Sequence, residues 1–98
     1  KYKKYYELMT NQNEKLFDNF EAINNEFAMN PRSRLTATKF HKLGFEVVDV
    51  VRFWERKLCS GMERGSNSVY SDKLAEKFWN EVRKRFSQID NVGVKIKN

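Results

Sequence analysis

Hydrophobic and polar positions alternate with a helical rhythm over most of the chain, most clearly from Phe40 to Leu58. At about 100° per residue, Phe40, Leu43, Gly44, Val47, Val50, Val51, Trp54 and Leu58 share one arc, and Lys39, Lys42, Glu46, Asp49, Arg52, Arg56 and Lys57 fall opposite. A two-residue period would set Asp49 beside Phe45, Val47, Val51 and Phe53, so the β-branched valines belong to an amphipathic helix rather than a strand. Phe45 and Phe53 break the pattern by projecting from the charged side, close to Lys42, Arg52 and Arg56.

The segment before it, Lys4 to Met29, carries Tyr6, Met9, Leu16, Phe20, Ile23 and Phe27 at alternating three- and four-residue steps once Asn13 is counted. That is a heptad seam with Asn13 at an a position. It reads either as a coiled coil whose buried Asn13 sets the register of a dimer, or as a bundle helix with a polar residue near its solvated end. Tyr2, Tyr5 and Tyr6 are expected to cover the end of the bundle. Asn30-Pro31 stops this helix, because proline disfavours helical geometry in the residue before it. Asn30 is the expected N-cap of the next helix, with Ser33 and Thr36 as alternatives. A junction this short predicts antiparallel neighbours.

The second helix should run to about residue 60, with Gly61 as its stop and Gly44 admitting a close neighbour within the apolar arc. Gly61 to Ser68, GMERGSNS, reads as a loop. A third helix is expected from an N-cap at Ser71, with Asp72 in its first turn and a stripe of Leu74, Phe78, Val82, Phe86 and Ile89. Arg85 sits at the edge of that stripe, where its stem can lie along apolar surface. The final NVGVKIKN suggests a short strand or a basic tail. The pattern therefore predicts one all-α domain over residues 1–98, a three-helix antiparallel bundle with helices at about 4–29, 32–60 and 71–90 and a short basic C-terminal tail, dimeric in the coiled-coil reading. Its core is expected from Phe20, Ile23, Phe27, Leu43, Val47, Val51, Trp54, Leu58, Leu74, Phe78, Val82 and Phe86.

Composition supports that class. The 98 residues suffice for one core, 14% aromatic content opposes disorder despite 33% charged residues, and four Gly with one Pro leave little turn chemistry for a many-stranded fold. The net charge of +6 is uneven: −1 over residues 1–31, +3 over 32–63 and +4 over 64–98. Such a bias attracts a polyanion, either nucleic acid or an acidic protein surface. The single cysteine, Cys59, excludes an intramolecular disulfide and fits a reducing compartment, so the cytoplasm is the expected location. No apolar run is signal-like or long enough to span a bilayer, and the chain opens on Lys1 rather than Met, as either a fragment of a longer protein or a trimmed chain would.

Catalytic and metal chemistry find little support. His41 and Cys59 lie eighteen residues apart, roughly 27 Å along one helix, too far for a shared metal or a nucleophile–base pair. The glycine-containing loop lacks GxxxxGK[ST] and GxGxxG, so no cofactor or small-molecule substrate is indicated. Arg34 and His41, seven apart on one face, pair a phosphate-binding cation with a proton-transfer imidazole. This spacing resembles that of HEPN-type ribonucleases, helical bundles that dimerise, although Leu35 stands where those enzymes carry a polar residue. Leu35 to Leu43, LTATKFHKL, resembles the helix start of the small helical subunits of multi-subunit CRISPR effector complexes, with His41 where they tend to have arginine. That likeness implies a basic α-domain that contacts a nucleic acid backbone within a filament.

The fullest constellation is the outer side of the second helix, where Arg34, His41, Phe45, Arg52 and Arg56 form a stripe with Lys42 and Phe53 nearby. Cations contact phosphates and exposed aromatics stack on bases. The expectation is a non-catalytic binding subunit using Arg34, Lys42, Arg52, Arg56, Lys77 and Lys84, with Phe45 and Phe53 as stacking or docking aromatics. The competing expectations are a protein-interaction or homo-oligomerisation module, in which a partner covers the two phenylalanines, and a HEPN-like ribonuclease.

Overall fold

A computed structural model describes residues 2–60 and 68–94. Four helices follow in order among the described residues, α1 (Tyr2–Gln12), α2 (Glu14–Met29), α3 (Arg34–Ser60) and α4 (Ser68–Arg85), and a 3-10 turn, Ile89–Asn91, precedes the last described residues, 92–94. The described residues contain no strand. The all-α bundle is as the sequence predicts, but the expected count of three helices is not: the first predicted helix is two. The break falls at Asn13. Its amide reaches both the Met9 and Thr10 carbonyls, at 3.1 and 3.3 Å, and its side-chain Nδ2 donates to the Met9 carbonyl at 2.9 Å. A short amide side chain competing for backbone partners in this way interrupts a helix. The Phe17 amide then bonds the Asn13 carbonyl at 2.9 Å, and α2 proceeds.

The two pieces bury their apolar residues within the chain. Met9 is inaccessible, and the α2 stripe is Phe17, Phe20, Asn24 and Phe27 with Ile23 beside it, a step round from the expected seam. Leu16 is only half-buried. Asn24 belongs to this stripe because it has partners there. Its Oδ1 accepts the Gln88 amide at 2.8 Å and its Nδ2 points to Asn25 Oδ1 and Ser87 Oγ, at 3.3 and 3.5 Å.

At the α2–α3 junction Ser33, rather than Asn30, is the N-cap: Ser33 Oγ accepts the Thr36 amide at 3.3 Å and its carbonyl accepts that of Ala37 at 2.9 Å. The pair is antiparallel, as the short junction requires, since Phe27 stacks on Phe40 with centroids 4.1 Å apart while Phe20 lies against both Phe40 and Gly44. The core of α3 is Phe40, Val47, Val51, Trp54 and Leu58, with Gly44 buried among them; Leu43, expected inside, is half-buried. Tyr5 meets Trp54 edge-on and Tyr6 meets Phe78, so α1 packs along α3 and α4, and these tyrosines lie against the helices rather than over the end of the bundle as expected.

Helix α4 begins three residues before the expected cap at Ser71 and ends at Arg85 rather than near 90. It runs antiparallel to α3: Trp79 Nε1 donates to Glu55 Oε2 at 2.8 Å, and the segment after α4 lies against residues 41–45. Leu74, Phe78, Val82 and Phe86 are buried as expected, and so is Ile89, from the 3-10 turn. Arg85 joins α4 to α2, its Nε 2.6 Å from Glu21 Oε1 and its Nη2 2.8 Å from Asp18 Oδ1, with its guanidinium over Phe17 and Phe86. Partial burial opposes its charge, but the Glu21 hydrogen bond and the nearby carboxylates outweigh that and raise its pKa. Of the predicted loop Gly61 to Ser68, Ser68 is already the first residue of α4, while residues 61–67 with the Gly61 stop, and the tail alternation beyond Val94, lie outside the described residues.

Candidate nucleic-acid interface

Helix α3 presents its core face inward along its whole length, so everything opposite is set by a helical projection. Arg34, Phe45, Arg52 and Arg56 are exposed on one outer strip, His41 lies half-buried at its margin, and Lys42 and Phe53 stand on the adjoining shoulder. Phe45 and Phe53 are 54% and 48% exposed, so each is about half covered by its own chain, and they are not one platform. Eight residues separate them, which puts them about 12 Å apart along the axis and about 80° apart around it. Phe45 lies beneath the backbone of Gly93, and Phe53 sits edge-on to Trp54 with the Lys57 ammonium 5.1 Å from its ring centre.

His41 has a structural task. Its Nδ1 accepts the Gly93 amide at 2.9 Å, so the imidazole proton belongs on Nε2, and its ring meets Phe27 and Phe40 edge-on. Gly93 reaches this point with φ +82, a left-handed conformation that a side chain would strain. One residue earlier, Val92 fills the notch over Gly44, where a Cβ would meet Val92 Cγ2 at 2.6 Å. The close approach anticipated at Gly44 is therefore made by a side chain of the C-terminal segment and by Phe20, not by another helix backbone. Arg34 and His41 do share a face, but the nitrogen of His41 nearest the described backbone is engaged in holding that segment down.

Electrostatically, α3 and α4 differ. Among the described residues the ion pairs belong to the end of α4: Arg83 with Asp90 at 2.9 Å, Lys84 with Glu81 at 2.8 Å, and Arg85 with Asp18 and Glu21. Hydrogen bonding and charge from Glu81 raise the Lys84 pKa. Arg34, Lys42, Arg52 and Arg56 enter no ion pair with another described residue. The structure does not bring Lys77 and Lys84 to the α3 strip either. Trp79 faces α3 through Glu55, and Lys77 and Lys84 lie about 160° and 140° round the helix from it. The predicted set thus divides into an α3 strip and two lysines on the far side of α4.

Sequence reasoning passed over Asn24 and Gly93. A polar residue one step off a heptad seam and a glycine in an apparent tail carry no signal until the fold places them together. Among the described residues no cluster of three or more His, Cys, Asp or Glu offers a metal site, and no helix is long and apolar enough to cross a membrane. No family model, curated protein or solved structure matches the chain.

Proposed function

We propose that the protein is a small non-catalytic binding subunit that grips a nucleic acid backbone along the outer strip of α3, within a larger complex. The observation that carries this reading is the contrast in charge: Arg34, Arg52 and Arg56 are exposed beside a half-exposed Phe45 and lack intramolecular ion pairs among the described residues, whereas Arg83, Lys84 and Arg85 at the end of α4 are matched by carboxylates. A guanidinium already paired gains little from a phosphate, while an unpaired one releases condensed counterions when it binds. Phe45 supplies the sequence-tolerant stacking surface that single strands use. Lys42, on the shoulder, serves as an additional backbone contact, and Lys77 and Lys84 contribute only to the long-range field.

Titrating labelled single-stranded RNA and DNA by fluorescence anisotropy across a salt series tests the reading. Binding at low salt that weakens with a negative log–log slope is expected. Arg52→Glu combined with Arg56→Glu should weaken it about tenfold or more, and Lys77→Glu far less. Absence of binding at low salt, or equal losses from both sets, refutes the assignment of the strip.

A further inference from the structure

We infer that residues 92–94 form a strap across α3 latched by neutral His41, and that protonation of the imidazole opens the strap and uncovers Phe45. The strap begins where the core ends. Ile89 is buried and pins the 3-10 turn, after which Val92 takes an extended conformation and carries the chain back over α3. Three contacts hold it there. Val92 fills the notch over Gly44, the Gly93 amide donates to His41 Nδ1 at 2.9 Å, and the Gly93 backbone lies on the Phe45 ring. A Cβ at Gly93 would stand 3.2 Å from Phe45 Cε1, and φ there is +82, so the chain comes this close to the ring because residue 93 has no side chain.

Of the three, only the His41 contact depends on a proton. Nδ1 accepts while it carries no hydrogen, but a protonated imidazole is a donor at both nitrogens and sets N–H against N–H across the same 2.9 Å. The contact turns repulsive. No carboxylate among the described residues takes up the new charge, for His41 enters no ion pair and its ring neighbours are Phe27 of α2 and Phe40. On α3 the nearby charges are both positive: Arg34, two turns earlier on the same face, and Lys42. Glu26 of α2 and Glu46 line the other flank of the α2–α3 seam with Lys39, which lies about 160° round α3 from His41. Asp18 and Glu21 of α2 are paired with Arg85, and Asp90 of the 3-10 turn with Arg83. With the latch reversed, half-buried Val92 alone retains the strap, while Ile89 keeps the bundle closed behind it. Opening frees the covered side of a ring that the proposed strip uses for stacking, and this consequence alone rests on that reading.

Nuclear Overhauser contacts between the Phe45 ring and the Gly93 α-protons, measured on the full chain without nucleic acid, read the strap directly. Their outcome is therefore separate from that of the binding titration. In wild type the contacts should be present at about pH 8 and lost at about pH 5, the range in which imidazoles titrate. Their loss should share its midpoint with the shift of the His41 Cε1 proton. His41→Phe keeps a ring against Phe27 and Phe40 but offers no acceptor, so its strap should be open at both pH values, with circular dichroism checking that the bundle remains folded. If that variant does not fold, the wild-type titration decides alone. Contacts that survive in wild type at about pH 5, a midpoint displaced from that of His41, or contacts that persist in folded His41→Phe at about pH 8 overturn the inference.

Discussion

Asn24 shows how one residue's role depends on what the fold brings to it. Fully buried, it accepts the Gln88 amide just past the end of α4 and thereby fixes where that helix turns into the 3-10 segment. Asn24→Ala leaves that amide buried without its partner, and chemical denaturation should show a loss of about 2 kcal/mol. Asn24→Leu, similar in volume, should not recover it, which separates hydrogen bonding from packing. Gly44 makes the opposite case, a position where any side chain is too much. A methyl there meets Val92 Cγ2 at 2.6 Å and Phe20 Cε1 at 3.3 Å. Gly44→Ala should cost about 1–3 kcal/mol by overpacking, even though alanine suits a helix better than glycine. Because Val92 is the part that can move, hydrogen exchange at the Gly93 amide should accelerate in the variant as its bond to His41 Nδ1 loosens.

At the scale of elements, periodicity made the long central helix legible because its apolar arc is wide and unbroken, and α3 indeed runs Arg34–Ser60. Its start followed from ordinary capping chemistry, with the weight falling on Ser33 among the candidate caps. The first helix misled because a heptad seam counts spacings and cannot see Asn13 turning its amide back onto the Met9 carbonyl. Arg85 could be placed at the core edge from its position beside Phe86, but its two carboxylate partners lie 64 and 67 residues away in sequence. Arg85→Ala should lower stability by about 1–2 kcal/mol in urea melts, partly through lost charge-assisted bonds and partly through lost cover over Phe17 and Phe86. Added salt should narrow the difference between wild type and variant, since Asp18 and Glu21 are partly open to solvent.

For the molecule as a whole, net charge proved a poor guide to where charge is available. Residues 64–98 carry the largest excess, +4, yet the described ion pairs concentrate there, and the outer strip of α3 keeps its cations unmatched. If that strip holds phosphates, removing Arg52 and Arg56 together should make the log affinity–log salt slope for a single strand shallower by about 1.4, about 0.7 for each lost contact. Lys84→Gln should leave the slope nearly unchanged, because Glu81 already occupies that ammonium.

The chain by itself determined the all-α class, the antiparallel α2–α3 pair, most of the core and the presence of Phe45 and Phe53 on a charged helix face. All of these follow from periodicity and short-range turn chemistry, which act between residues a few positions apart. Tertiary structure decided which cations are neutralised, that His41 and Gly44 receive the C-terminal segment, that Asn24 belongs inside, and that Lys77 and Lys84 face away from the α3 strip. Each of those depends on groups distant in sequence meeting within hydrogen-bonding or van der Waals range, and only the packed bundle sets those distances.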